Sequence, residues 1–259
     1  MTILVALILG IVQGLTEFLP VSSSGHLMLL NYLFGLETDF LLVSIILHLA
    51  TLLAVVFVFY REILELLKHP FSKPALKLYA ATIPTVLIVL LFKSFIENAF
   101  ESVSLLPFCF MLTAVLLYIT YLIGEHRKNK DYSKKDFKFS SAISMGIAQG
   151  LAVIPGISRS GSTICTGLIL GEEKSSTAKF SFLMSIPIIL ASMLYEIVFS
   201  GGGNALNSIG ILPLIVAFLS AFIVGIFSIK FMLKVVEKAK YYYFSIYLFV
   251  LAVVSFFII

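Results

Sequence analysis

Charge is what this chain has least of. Only 12% of its 259 residues are charged and 60% are hydrophobic, whereas soluble domains carry about a quarter charged residues. No soluble core absorbs that much apolar area, so the composition excludes an ordinary globular domain and indicates a polytopic membrane protein. Cysteine is nearly absent as well. Cys109 and Cys165 both sit in apolar surroundings and read as small core residues rather than a disulfide or a metal site. There is no Walker-type loop, no paired CxxC, no HExxH and no GxSxG elbow. The net charge of +4 is not a nucleic-acid signal, because the basic residues lie in loops between apolar segments. The opening "MTILVALILGIVQGLTEF" lacks the basic flank of a signal peptide and carries Gln13 and Glu17 inside its apolar run. It is expected to remain in the mature protein.

Six segments are long and apolar enough to span a bilayer: 41–60, 75–92, 103–124, 180–199, 209–229 and 241–259. Two further regions, 1–36 and 139–171, are apolar but broken by Pro, Gly and Ser. Lipid cannot satisfy backbone exposed at such a break, which is tolerated where the loop is buried in protein or lines a wet cavity. Both regions therefore read as re-entrant helix–loop–helix hairpins, with two ordinary kinked spans as the alternative. The expected fold is all-α: six transmembrane helices plus two opposed hairpins in a single integral-membrane domain.

Basic residues cluster in 61–77, 125–138, 172–179 and 230–240, with only Lys93 and Arg159 elsewhere. Six spans threaded through these loops place every basic loop on one side, the cytoplasmic one. Both termini then fall outside, and the hairpins enter from opposite faces. The stretch 125–138 reads as a solvated loop that fixes topology, and Glu196 as a span-end residue that snorkels to the interface.

The opposed entry matches an internal repeat. Placing Gly10 on Gly146 aligns "GIVQGLTEFLPVSSSG" with "GIAQGLAVIPGISRSG" without a gap. Inverted repeats covering about 1–124 and 139–259 follow, and such repeats place a site near the bilayer midplane where two broken elements meet. The loops "PVSSSGH" and "PGISRSGST" are expected to face each other.

Arg159 is the strongest single clue. A charge near mid-membrane costs about 2.5–3.5 kcal/mol even on lenient scales, and it usually marks function. Its planar fork suits phosphate. Around it lie Ser158, Ser160, Ser162 and Thr163. Gly156 and Gly161 let backbone N–H groups approach an anion, and a helix expected to start near Thr163 would add its positive end. Ser24 and Gly25 are the corresponding candidate substrate contacts in the first loop. The competing reading is a structural salt bridge from Arg159 to Glu17.

Glu17 follows Gln13 by four residues, on one helical face. That pair can hold a hard cation, Mg²⁺ or Ca²⁺, completed by water and phosphate oxygens. The rival explanation is helix packing through the Gly10–Gly14 GxxxG face. His26 follows "SSSG" and is a candidate to relay a proton or activate a neighbouring hydroxyl. His48, with Thr51 as its polar neighbour in an apolar span, is expected to play a structural or supporting role.

At these residues the sequence resembles a known family. "QGLTEFLPVSSSGH" and "PGISRSGST" are similar to the two signature motifs of undecaprenyl-diphosphate phosphatases of the bacitracin-resistance type, and the likeness extends over nearly the whole chain. The resemblance implies hydrolysis of the terminal phosphate of a polyprenyl diphosphate, recycling a lipid carrier for cell-wall polymers. It also implies a multi-pass protein of the plasma membrane with its pocket open toward the extracytoplasmic side. By resemblance, Gln13 and Glu17 occupy the (E/Q)xxxE positions and His26 the histidine after the serine run. Ser158, Arg159, Ser160 and Thr163 occupy the phosphate-binding motif, and Ser23 matches a proposed nucleophile. Gln13 stands where the pattern also permits Glu, leaving one carboxylate, and His48 where many members carry glutamine. The implied partners are a polyprenyl diphosphate and membrane lipid, with a homodimer as candidate assembly. From another class, a secondary transporter or lipid flippase would use the same broken helices around a midplane anion site.

Overall fold

The computed structural model describes residues 1–35, 40–127, 137–199 and 209–259, with backbone alone at 40, 41 and 196–199. The expectations for Glu196 and for most of the basic loop 125–138 lie outside the described side chains and residues. Among the described residues every regular element is helical: α1 Ile3–Thr16, α2 Ser23–Phe34, α3 Phe40–Val58, α4 Tyr60–Lys68, α5 Lys73–Leu91, α6 Lys93–Glu101, α7 Leu106–His126, α8 Phe139–Leu151, α9 Arg159–Ile169, α10 Lys174–Phe199, α11 Ile211–Glu237 and α12 Tyr242–Ile258.

Four of the expected spans coincide with helices long and apolar enough to cross a membrane: α5, the α7 region, α10 and α11. The expected span 41–60 is α3, which bends by 80° into α4. The last, 241–259, is the shorter α12. The arms of the two broken regions are shorter still. At about 1.5 Å per residue, α1, with 14 residues, and α8, with 13, fall well below a hydrocarbon core of about 30 Å. Large apolar side chains such as Leu4, Phe57, Leu90 and Phe227 are exposed. That surface suits lipid rather than water.

The helix ends around the breaks are set by local chemistry. Thr2 caps α1 by accepting the Val5 N–H, and Ser22 and Ser158 cap α2 and α9 by accepting the N–H groups of Gly25 and Gly161. The two loops differ in backbone where they turn. Ser22 has φ 69°, a conformation that non-glycine residues seldom adopt. In the second loop the left-handed position falls on Gly156, φ 88°, where an added Cβ would meet Cys109 Cβ at 2.6 Å.

Packing repeats with the sequence. α1 lies along α11 and α8 along α5, while α7 packs on α12. Gly10 abuts the Ala217 carbonyl. Gly146, its counterpart in the repeat, abuts the carbonyl of Ala81, which the same alignment pairs with Ala217. Each half thus lays its glycine face on a helix of the other half. The same exchange occurs at the breaks: Gly25 meets Gly156 and Gly161 meets Pro20. The two loops therefore face each other, as the repeat implies. Phe18, Phe110 and Phe182 fill the core beneath them, with Phe18 and Phe182 edge to face at 5.7 Å.

Candidate active site

Glu17 ends α1, Ser23 begins α2 and Arg159 begins α9. The loops bring these three ends together. Arg159 Nη2 donates to Glu17 Oε1 at 2.5 Å. Ser23 Oγ donates to Glu17 Oε2 at 2.5 Å, and Gln13 Nε2 donates to the same oxygen at 3.1 Å. Thr51 accepts a longer bond from Gln13 Nε2 at 3.4 Å. His48 Nε2 stands 4.0 Å from Glu17 Oε2, while its Nδ1 bonds the Ser44 carbonyl at 2.8 Å. The histidine read as sitting in an apolar span thus looks onto the buried carboxylate.

Two buried polar atoms here have no hydrogen-bond partner among the described residues: Nη1 of Arg159 and Oε1 of Gln13. An orphaned buried polar atom costs about 1–3 kcal/mol, and Asn31 Oδ1, Gln149 Oε1 and Thr177 Oγ1 are unpaired in the same way. At the Glu17–Arg159 pair lies a cavity of about 40 Å³ lined by Thr16, Glu17, Ser22, Ser23, Ser24, Ala152, Ile157, Ser158 and Arg159. That is room for a few water-sized groups. α2 and α9 both start at this cavity, with the N–H groups of Gly25 and Gly161 taken by the Ser22 and Ser158 caps. Helix N-termini and a guanidinium are groups that attract an anion.

The remaining sequence-predicted residues surround or brace the cavity. Ser24 and Ser158 line it. Ser160 Oγ donates to the Leu19 carbonyl at 2.9 Å, stitching one loop to the other. At Gly25 an added Cβ would clash with Phe110 and Gly156, and at Gly161 it would fit tightly against Ser158 and Pro20. Thr163 turns away from the cavity. Its hydroxyl bonds the Arg159 carbonyl at 2.9 Å and Ser181 Oγ at 2.6 Å, so it braces α9 against α10.

His26 is close behind the cavity rather than among its lining residues. Nδ1 lies 2.7 Å from the Ser22 carbonyl. A carbonyl only accepts, so Nδ1 carries the proton. In the neutral ring Nε2 then accepts from the Tyr247 hydroxyl at 2.6 Å. The group hydrogen-bonded to the Ser23 hydroxyl is Glu17, not His26. Sequence reasoning missed Tyr247, which lies near the opposite end of the chain from His26 and carries no spacing signal. It also missed Thr113, whose hydroxyl accepts the Ser158 N–H at 3.2 Å and supports the second loop from α7.

No group of three or more His, Cys, Asp or Glu side chains is placed to form a metal cage among the described residues. The Glu17 carboxylate and the Ser23 hydroxyl bonded to it are nevertheless hard oxygen donors lining the cavity. That set suits a cation that takes its other ligands from phosphate and water.

The family model described as "Bacitracin resistance protein BacA" matches residues 6–254. A protein of Carboxydothermus hydrogenoformans named undecaprenyl-diphosphatase is 45% identical over 96% of this chain and 94% of its own. Proteins of the same name from Bacteroides thetaiotaomicron and Halothermothrix orenii are 40% and 35% identical. They cover 95% and 98% of this chain, and 95% and 96% of their own lengths. The chain belongs to the bacitracin resistance protein BacA family.

Proposed function

We infer that the chain hydrolyses undecaprenyl diphosphate, releasing the terminal phosphate and leaving the monophosphate carrier lipid. The names of its relatives give the substrate. The observation that carries the reading to this chain is the buried, unshared Nη1 of Arg159 beside two helix N-termini. A diphosphate concentrates negative charge that grows on the leaving oxygen as the bond breaks, and fixed positive groups act on that charge. Arg159 and the amide groups of Ser23, Ser24 and Ser160 clamp the diphosphate. Ser23 Oγ attacks the terminal phosphorus as its proton passes to Glu17, the acceptor it already touches. The bridging P–O bond breaks toward undecaprenyl phosphate, and water then frees the phosphate. His26, pinned between Ser22 and Tyr247, holds the strained residue before Ser23 in place. Gln13 Oε1 and Glu17 would hold a divalent cation, Mg²⁺ or Ca²⁺, that neutralises phosphate charge.

The finer topology is part of the same proposal. Six crossings with two re-entrant hairpins agree with arms too short to cross at α1 and α8. Inverted repeats over 1–124 and 139–259 agree with the exchanged contacts of Gly10 and Gly146. The distribution of Lys and Arg assigns the basic loops to the cytoplasm, and the family resemblance implies a pocket open toward the extracytoplasmic face of the plasma membrane.

Phosphate release from undecaprenyl diphosphate by the purified protein in detergent tests the reaction, because no gradient exists there to drive transport. Release that falls with a chelator and returns with Mg²⁺ or Ca²⁺ is the expected result. Substrate bound or moved without phosphate release would contradict it.

A further inference from the structure

We propose that α4, with the turn reaching Phe71, lies flat in the headgroup boundary of the bilayer and anchors the basic side of the molecule to anionic lipid. The proposal rests on the multi-pass membrane architecture and not on the phosphatase reading.

α3 has 19 residues, about 28 Å at 1.5 Å per residue, which is close to one hydrocarbon thickness. Membrane helices tilt by about 20° on average from the bilayer normal. A helix that leaves such a span at 80° therefore runs close to the membrane plane. No proline or glycine lies at the bend around Phe59, so the turn is held by packing rather than by a breaker. Ile63 and Leu66 dock on the core, and Glu62 pairs with Lys179 at the start of α10.

A second apolar stripe has no such partner among the described residues. Tyr60, Leu64 and Leu67, spaced at four and three residues, share one helical direction, and Phe71 follows in the turn beyond the helix. They are 49%, 50%, 71% and 84% exposed. Water is a poor neighbour for that stripe, and the boundary between headgroups and acyl chains suits it. Arg61, whose Nε bonds the Tyr60 hydroxyl at 2.8 Å, follows the stripe, as do Lys68, Lys73 and Lys77. Basic side chains close to an anionic surface are attracted to it. The charge complement is thus a phosphatidylglycerol-like leaflet.

The chain contains no tryptophan, so Leu67→Trp and Phe71→Trp each create a sole indole in the full-length protein. The variants are reconstituted in phosphatidylcholine–phosphatidylglycerol vesicles whose lipids carry a quencher at a chosen depth. A blue-shifted emission, quenched most by lipid labelled near the headgroup, is the expected result at both positions. Strongest quenching by lipid labelled near the bilayer centre would make α4 a continuation of the α3 span and overturn the proposal. An indole that no labelled lipid quenches, whether water-like or shielded by protein, would overturn it equally.

Discussion

The guanidinium of Arg159 meets the carboxylate of Glu17, far apart in sequence, at the one place where the ends of α1, α2 and α9 converge. Both side chains are largely buried, with 14% and 6% exposure. Removing one partner of such a pair leaves an uncompensated charge, a loss of about 3–5 kcal/mol, whereas removing both is far milder. Thermal unfolding in detergent should show Arg159→Met and Glu17→Gln each well below the parent, and the double variant recovering much of the loss. None of the three should release phosphate at the parental rate. A double variant no more stable than the worse single one would show that the pair is not coupled.

Ser23 is placed to act as nucleophile because its proton already has an acceptor in Glu17 Oε2. Acid-quenched protein taken during turnover should carry phosphate on the peptide containing Ser23. Ser23→Ala should lose about 10²-fold or more in kcat, the scale of a positioned reacting group. Full loss of activity in that variant with no trapped phosphate in the parent would assign the attack to water held at the same point.

Tyr247→Phe removes one hydroxyl and leaves the ring that stacks on His26, 5.8 Å between centroids. Nε2 of His26 then lacks its donor, a loss of about 1–3 kcal/mol when the acceptor stays buried. Ser22 and the attacking residue beside it lose a brace, so kcat should fall about tenfold, equivalent to about 1.4 kcal/mol. KM should change less. Parental kcat together with parental stability would remove Tyr247 from the account.

Gly10 and Gly146 should respond alike, since an added side chain at either meets the backbone of a helix from the other half. Leucine at either position should destabilise by about 1–3 kcal/mol or more through overpacking, read as a fall in the detergent unfolding temperature. A variant at only one of the two positions losing stability would break the equivalence of the halves.

Much of the site was legible in the sequence because a bilayer makes polar residues conspicuous. Glu17, Ser23 and Arg159 stood out from apolar surroundings, and the internal repeat pointed the two loops at each other. Other features have no such signal. His48 sits among apolar sequence neighbours, and only the packing of α3 beside α1 turns it toward Glu17. Thr163 belongs to a phosphate-binding motif by resemblance, but a buried helix hydroxyl readily satisfies itself on the carbonyl four residues back, as this one does. Tyr247 meets His26 only through a tertiary contact between distant parts of the chain. The bend at Phe59 falls in a run with neither proline nor glycine, so composition passes through it unmarked.

The central claim is that one cation from the second loop clamps a diphosphate against a reacting group from the first. Undecaprenyl diphosphate turnover by folded Arg159→Ala protein in detergent, measured beside the parent, tests it most directly. The account predicts a loss of about 10³-fold, the scale of deleting a fixed charge that faces the transferring phosphoryl group. A monodisperse variant that still releases phosphate at the parental rate would contradict it.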